Sequence, residues 1–461
     1  MIITGAPGNR SGGASCATWL HPGIPISSQL AGCNRSSCLH GGRLFASTIS
    51  DSALYLYVAS LFVFQVPVLN GMNVAVPTVA GIFFLAVEGL RRFGDRNGTA
   101  SRSRIPLLVL VVSLIYLGVA LANSEWTFGH PRVAITYFAL LAATLATGYA
   151  LRDPVRAWRV TWIFTVGSGV VSLETIYEAV TGHFNVFSIF PSYADRAYGF
   201  ADPNFTAAFL VTMLPFMVAH LGIGRRVRGR IVPACLLLLS LAGICMTGSR
   251  GGIVGCIVTF VAISIFGPFA PGRRSLGKGF KPRSVRSAMS RPGLLAVLVA
   301  STVIAAYMAP SMLWERLSTY QEWSDPTNES RLQYWGDYIE KWQTSPWVGK
   351  GPGYIIAEGE EPHNTVIQVL IEVGVFGFAG FVLLNAFAFW ESVSARRRLA
   401  LMGQSRMSVI SGAVASAFVG FHATGFFLHC ATHKELWFLI GFASALTHMS
   451  RSNPTPSLDN A

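Results

Sequence analysis

Residues 105–122 read IPLLVLVVSLIYLGVALA, eighteen residues without a charge, preceded by Arg102 and Arg104. As an α-helix this run would be about 27 Å long, close to the hydrocarbon thickness of a bilayer. It is apolar all round, whereas a helix on the surface of a soluble domain keeps a polar face. Eleven further apolar runs lie near 53–69, 72–90, 132–151, 158–180, 204–224, 231–247, 252–270, 292–311, 364–389, 408–428 and 435–449. The sequence therefore predicts an all-α polytopic membrane protein with about twelve transmembrane helices.

Composition agrees. Charged residues make up 12% of the 461, about half the roughly 25% of a soluble domain. Hydrophobic residues reach 52% and mean hydropathy is +0.48. So few charges could not cover the soluble domains of about 150 residues each that this length would otherwise suggest, and disorder needs the opposite composition. Seven scattered cysteines do not make a disulfide framework. The net charge of +13 is split into short blocks between apolar runs. That is the pattern of cytoplasmic loops and not of a nucleic-acid-binding patch.

Placing both termini in the cytoplasm puts 27 of the 35 Lys and Arg residues on that side and eight on the other, as the positive-inside rule requires. The expected organisation is a flexible cytoplasmic tail over 1–50, nine spans over 51–311, one large periplasmic loop over 312–363, three spans over 364–449 and a cytoplasmic tail over 450–461. The first segment lacks the pattern of a secretory signal, and its Cys33, Cys38 and His40 lack a fourth zinc ligand at a familiar spacing. The large loop carries nine acids, four bases and nine aromatic residues. Within it Leu332, Trp335, Ile339 and Trp342 recur at helical spacing, predicting an amphipathic helix on the membrane surface. Its aromatics suit interfacial anchoring and equally the stacking of a sugar. A second, shorter outer loop covers 181–203.

The eight outward cations run against the charge bias, which makes them informative. Arg250 sits in Thr247-Gly248-Ser249-Arg250-Gly251-Gly252, a turn at the outer boundary. Its glycines permit close backbone approach, the following helix start offers N–H groups to an anion, and the guanidinium supplies a bidentate fork for phosphate. A glycine-rich turn with a snorkelling arginine accounts for the same residues. Arg196 precedes Asp202-Pro203-Asn204, which reads as a helix start with Asp202 as cap and Pro203 in the first turn. That helix start does not need Arg196, which Asp195 could neutralise. His363, in Glu360-Glu361-Pro362-His363-Asn364, has the side-chain chemistry of a general base near neutral pH; a helix cap is the alternative. Glu174, Glu178 and Glu372 fall inside spans and need a partner or a cavity. They would suit an ion-coupled transporter as well as an enzyme. His429, Cys430 and His433 lack further ligands for a metal site.

Taken in order, three blocks resemble the O-antigen ligase/polymerase superfamily of bacterial surface-polysaccharide enzymes. They are Arg196-Ala197-Tyr198-Gly199 with Asp202-Pro203-Asn204; Thr247-Gly248-Ser249-Arg250-Gly251-Gly252; and Pro362-His363-Asn364 leading into Glu372-Val373-Gly374-Val375-Phe376-Gly377. Arg331-Leu332-Gln333-Tyr334-Trp335 and Ser345-Pro346-Trp347-Val348-Gly349-Lys350-Gly351 lie between the last two and are also familiar from that family. The resemblance covers the outer elements from about 190 to 385. It implies a GT-C-type glycosyltransferase of the bacterial inner membrane, with its active site facing the periplasm. Such an enzyme takes a glycan from undecaprenyl diphosphate, inverts the anomeric centre, and uses no metal or cofactor. Arg196, Arg250 and Arg331 would bind the diphosphate, and His363 would activate the acceptor hydroxyl. The acceptor would be lipid A-core for a ligase or another glycan for a repeat-unit polymerase, and a partner that sets chain length fits either. The single dominant outer loop favours the ligase layout, with the polymerase close behind. A secondary transporter is the more distant reading, and no inverted repeat supports it.

Overall fold

A computed structural model describes residues 35–61, 66–68, 72–74, 76–94, 103–122, 130–181, 202–223, 228–267, 326–355 and 362–452. The chain divides into a unit Met1–Ile49 and a unit Ser50–Ala461. Helices dominate both the order and the mass of the described residues. They are α1 (Arg35–Ser60), α2 (Val76–Gly94), α3 (Ile105–Ala122), α4 (His130–Ala150), α5 (Pro154–Thr181), α6 (Pro203–Ile223), α7 (Arg228–Met246), α8 (Arg250–Phe266), α9 (Pro326–Gln343), α10 (Thr365–Leu401), α11 (Ser405–Gly425) and α12 (Lys434–Arg451). Six of these contain stretches long and apolar enough to cross a membrane: α4, α5, α6, α7, α10 and α11. The apolar part of α3 and the whole of α8 are shorter. The protein is thus an α-helical, multi-pass membrane protein.

Two features at the start of the chain differ from the expectation. Helix α1 begins at Arg35, inside the segment read as a tail. The apolar runs 53–69 and 72–90 are not two clean spans, because Val66–Val68 and Met72–Val74 pair as a short antiparallel hairpin between α1 and α2. Hydropathy does not distinguish a short apolar strand from a helix end. The expected span 292–311, the cluster Cys33, Cys38 and His40, and Arg196 lie outside the described residues or have side chains outside them.

The centre of the bundle is α6, α11 and α12. Nearly every side chain of α6 from Thr206 to His220 is buried, as is most of α12, including Trp437. Small residues let α8 pack closely against α6 and α11. A Cβ on Gly252 would lie 2.6 Å from Ala207 Cβ, and one on Gly255 2.2 Å from Thr424 Cγ2. One on Gly420 would lie 2.2 Å from Thr259 Oγ1. In lipid, where apolar surface alone does not drive helices together, such close approach is a main source of association. The end of the bundle at the C-terminus of α10 is held by ion pairs. Buried Glu391 meets Arg451 at 2.7 Å and Arg398 at 4.0 Å, and Arg156 meets Asp51 at 2.6 Å.

Helix α10 is broken at Gly374, where φ is +62°. The break leaves the carbonyls of Ile371 and Glu372 without their helical donors, and the loop after α9 supplies replacements. Lys350 N–H donates to Ile371 O at 2.7 Å, Gly351 N–H to Glu372 O at 2.9 Å, and Val375 N–H to Pro346 O at 2.9 Å. Gly349 (φ +70°) faces Gly374 so closely that a Cβ on it would sit 2.6 Å from Gly374 N. Irregular backbone at membrane depth is tolerated only when protein satisfies it, which is what this interlock does. The two motifs Ser345–Gly351 and Glu372–Gly377 are therefore one structural device. Gly349→Ala should abolish it, since backbone strain of about 1–3 kcal/mol adds to a clash with immobile main chain. Thermal unfolding in detergent should show a large loss of stability, while Gly336→Ala, whose Cβ would meet nothing within 4 Å, should unfold like the parent.

Candidate functional site

Four short segments meet at the end of the bundle opposite those ion pairs. The first is the start of α6. Asp202 caps it as the sequence suggests, its Oδ1 accepting from Asn204 N–H at 2.8 Å, with Pro203 as the first helical residue. The second is the turn Thr247–Ser249 between α7 and α8, made possible by Gly248 at φ +62°. Ser249 caps α8 by accepting from Gly252 N–H at 3.1 Å, and its own hydroxyl donates to Asn204 Oδ1 at 2.9 Å. That bond ties the two helix starts together. Arg250, half-buried, is the first residue of α8 and so stands where the helix dipole is positive and an anion is favoured.

The third segment is Pro362-His363-Asn364. Asn364 is the helix cap: its Oδ1 accepts from Val366 N–H at 2.9 Å and Ile367 N–H at 3.1 Å. The alternative role considered for His363 is thus filled by its neighbour. His363 is half-buried and has φ +44°, the one positive φ outside glycine among the described residues. Left-handed backbone at a residue with a Cβ costs energy and persists only where its surroundings hold it. Here the restraint comes from both sides. On one lies the Asn364 cap, and on the other Trp335 Nε1–H donates to Pro362 O at 2.6 Å.

The fourth segment, 426–433, joins α11 to α12 and touches the other three. Leu428 O accepts from Thr365 Oγ1–H at 2.6 Å, Cys430 N–H donates to Thr365 Oγ1 at 3.0 Å, and Ala431 N–H donates to Gln368 Oε1 at 3.1 Å. These bonds stitch the loop to the first turn of α10. A Cβ on Gly251 would lie 3.0 Å from Phe427 Cβ, so the residue after Arg250 abuts the same loop. The ring centroid of His429 lies 5.7 Å from that of His363 and 5.1 Å from that of Phe205, while Phe205 also packs at a tilt against His433 at 4.7 Å. His433 is half-buried, and the desolvation of its ring, with His429 and Lys434 nearby, lowers its pKa to about 3.

The structure therefore sets His363, and the glycine that follows Arg250, against the same short loop. Arg331 lies on α9, one turn before Trp335 and on the same face of that helix; its side chain is outside the described residues, as is the whole of Arg196. Helix α9 forms where its spacing predicts, but with a different inner face. Tyr334, Tyr338 and Trp342 pack on Tyr354, Ile355, Ile367 and Ile371, and Ile339 is exposed. Trp335 stands beside that face and makes an edge-on contact with Phe426, centroids 6.1 Å apart.

Glu372 is buried and accepts from Tyr137 Oη–H at 3.0 Å, with further hydrogen bonds from Gln368 and the Gly353 N–H. Glu174 and Glu178 are buried on α5. Among the described residues, no three His, Cys, Asp or Glu side chains are grouped for a metal ion. Cys430 Sγ lies 3.2 Å from Thr365 Oγ1, and His433 Nδ1 lies 3.7 Å from Glu435. Sequence reasoning weighed His429 only as a metal ligand and did not place it beside His363. The 65 residues between them carry no motif that reports the contact.

Residues 235–382 match the family model described as O-Antigen ligase. The matched stretch holds Arg250, Arg331, His363 and the Gly349–Gly374 interlock, while the start of α6 and the loop 426–433 lie outside it; over that stretch the resemblance to the O-antigen ligase superfamily is shown. No curated protein matches the chain.

Proposed function

Within the O-antigen ligase superfamily, we propose, this chain is a membrane glycosyltransferase that moves a glycan from undecaprenyl diphosphate to the hydroxyl of an acceptor sugar. The reading is supported above all by the placement of Arg250, at a helix N-terminus, and His363, at a restrained backbone position, beside one loop. A glycosidic bond to a diphosphate breaks readily once the leaving group's charge is matched by fixed cations. Arg250 and the start of α8 provide such cations and dipoles, and Arg331 and Arg196 are the further candidates. The acceptor hydroxyl is a poor nucleophile, and His363 would take its proton as the new C–O bond forms. As it forms, the bond between the anomeric carbon and the bridging diphosphate oxygen breaks, and its electron pair leaves with the diphosphate. Direct attack of this kind inverts the anomeric centre and asks for no metal.

The 27-to-8 charge split supports a site on the periplasmic side of the inner membrane within about twelve spans of GT-C type. The single dominant outer loop favours the ligase, with lipid A-core as acceptor. A polymerase would use a second lipid-linked glycan as acceptor and would need a partner to set chain length. Product analysis separates the two. Purified protein given undecaprenyl-diphosphate glycan and lipid A-core should yield glycan-bearing lipid A-core. Growth of glycan on the carrier lipid instead would favour the polymerase, and neither product would overturn the proposal.

A further inference from the structure

We infer that His429 is a proton relay for His363, accepting the proton that the acceptor hydroxyl has given up and passing it to water. This rests on the reading of His363 as general base. In that reaction the acceptor loses a proton, and the released lipid diphosphate carries one more negative charge than the esterified donor. Every turnover therefore leaves one proton on His363, and a second turnover needs it removed. The ring of His429 is next to that of His363, with centroids 5.7 Å apart and planes at 59°. Its place is built: the Thr365 and Gln368 bonds pin residues 428–431 to the first turn of α10, and Phe205 packs edge-on against the His429 ring. His429 is half-buried. The other imidazole of the loop, His433, is held neutral by desolvation, by His429 and by Lys434, and pairs with Glu435 only at 3.7 Å. His429 is the imidazole of this loop that lies against His363.

A relay affects resetting, not the first transfer. The test compares purified parental, His363→Asn and His429→Gln proteins in lipid nanodiscs with undecaprenyl-diphosphate glycan and acceptor. It measures both the first turnover and the steady state. Gln keeps the size and hydrogen bonding of the imidazole and does not carry a proton at neutral pH. For His429→Gln the first turnover should stay within about twofold of the parent, while steady-state turnover falls about tenfold or more. Imidazole buffer at high concentration should restore it. Steady-state turnover at the parental rate would overturn the relay, and so would equal loss in both phases with no response to buffer. Parental-like transfer by His363→Asn would instead overturn the reading of His363 on which the relay depends. If His429→Gln does not reach the membrane, the solvent deuterium effect on the parental protein decides. It should be larger in the steady state than in the first turnover, and equal effects contradict the relay.

Discussion

His363→Asn should leave the protein folded and cut glycan transfer by about 10²–10⁴-fold, the usual contribution of a positioned general base. Asparagine is the informative replacement because the backbone at 363 is left-handed, with φ +44°, a conformation Asn adopts more readily than most residues. The bonds that shape the segment survive the change. Asn364 still caps α10, and Trp335 still donates to the backbone carbonyl of Pro362. Loss of activity with an unchanged melting temperature would therefore report the imidazole itself. His363→Ala would mix the lost base with added backbone strain. A near-parental rate for the Asn variant would show that His363 is a structural residue.

Arg250→Lys should be nearly as inactive as Arg250→Ala, with transfer lower by about 10²–10³-fold, as when one fixed donor to a developing charge is removed. Lysine keeps the positive charge and the helix start but offers a point charge in place of a planar fork. The turn keeps the bond of Ser249 to Asn204 and the contacts of Gly251 and Gly252 with Phe427 and Ala207 in both variants. Membrane levels of both variants should match the parent. Binding of lipid-linked donor should weaken for Arg250→Ala, whereas it should persist for His363→Asn. Parental-rate transfer by Arg250→Lys would remove the case for bidentate diphosphate recognition.

Much of the membrane architecture can be read from hydropathy and charge alone. Those signals are local, and the bilayer enforces them on each helix separately. The Asp202 cap and the turn before Arg250 were legible for the same reason, since each is complete within a few residues. The hairpin Val66–Val74 was not, because apolar strands and apolar helix ends have the same composition. Helix α9 was legible as a helix, while its inward face was decided by Ile367 and Ile371 on another element. The largest gap concerns relations between motifs. Gly349 and Gly374 are each ordinary glycines until their backbones are seen to meet. His429 looked like half of a metal site until the loop bonded to Thr365 and Gln368 placed it beside His363. Motif order along the chain identified the parts of the candidate site; long-range hydrogen bonds determine which of them touch.

A protein that breaks and remakes a glycosidic bond at a lipid diphosphate must set the carrier lipid free. The most direct measurement is release of free undecaprenyl diphosphate by the purified parental protein in nanodiscs supplied with undecaprenyl-diphosphate glycan and acceptor. One molecule of free carrier should appear for each glycan joined to acceptor, and release should collapse in His363→Asn and Arg250→Lys. Contradiction would come from glycan that stays on its carrier, with no free undecaprenyl diphosphate, while the same protein in liposomes moves the intact donor from one leaflet to the other.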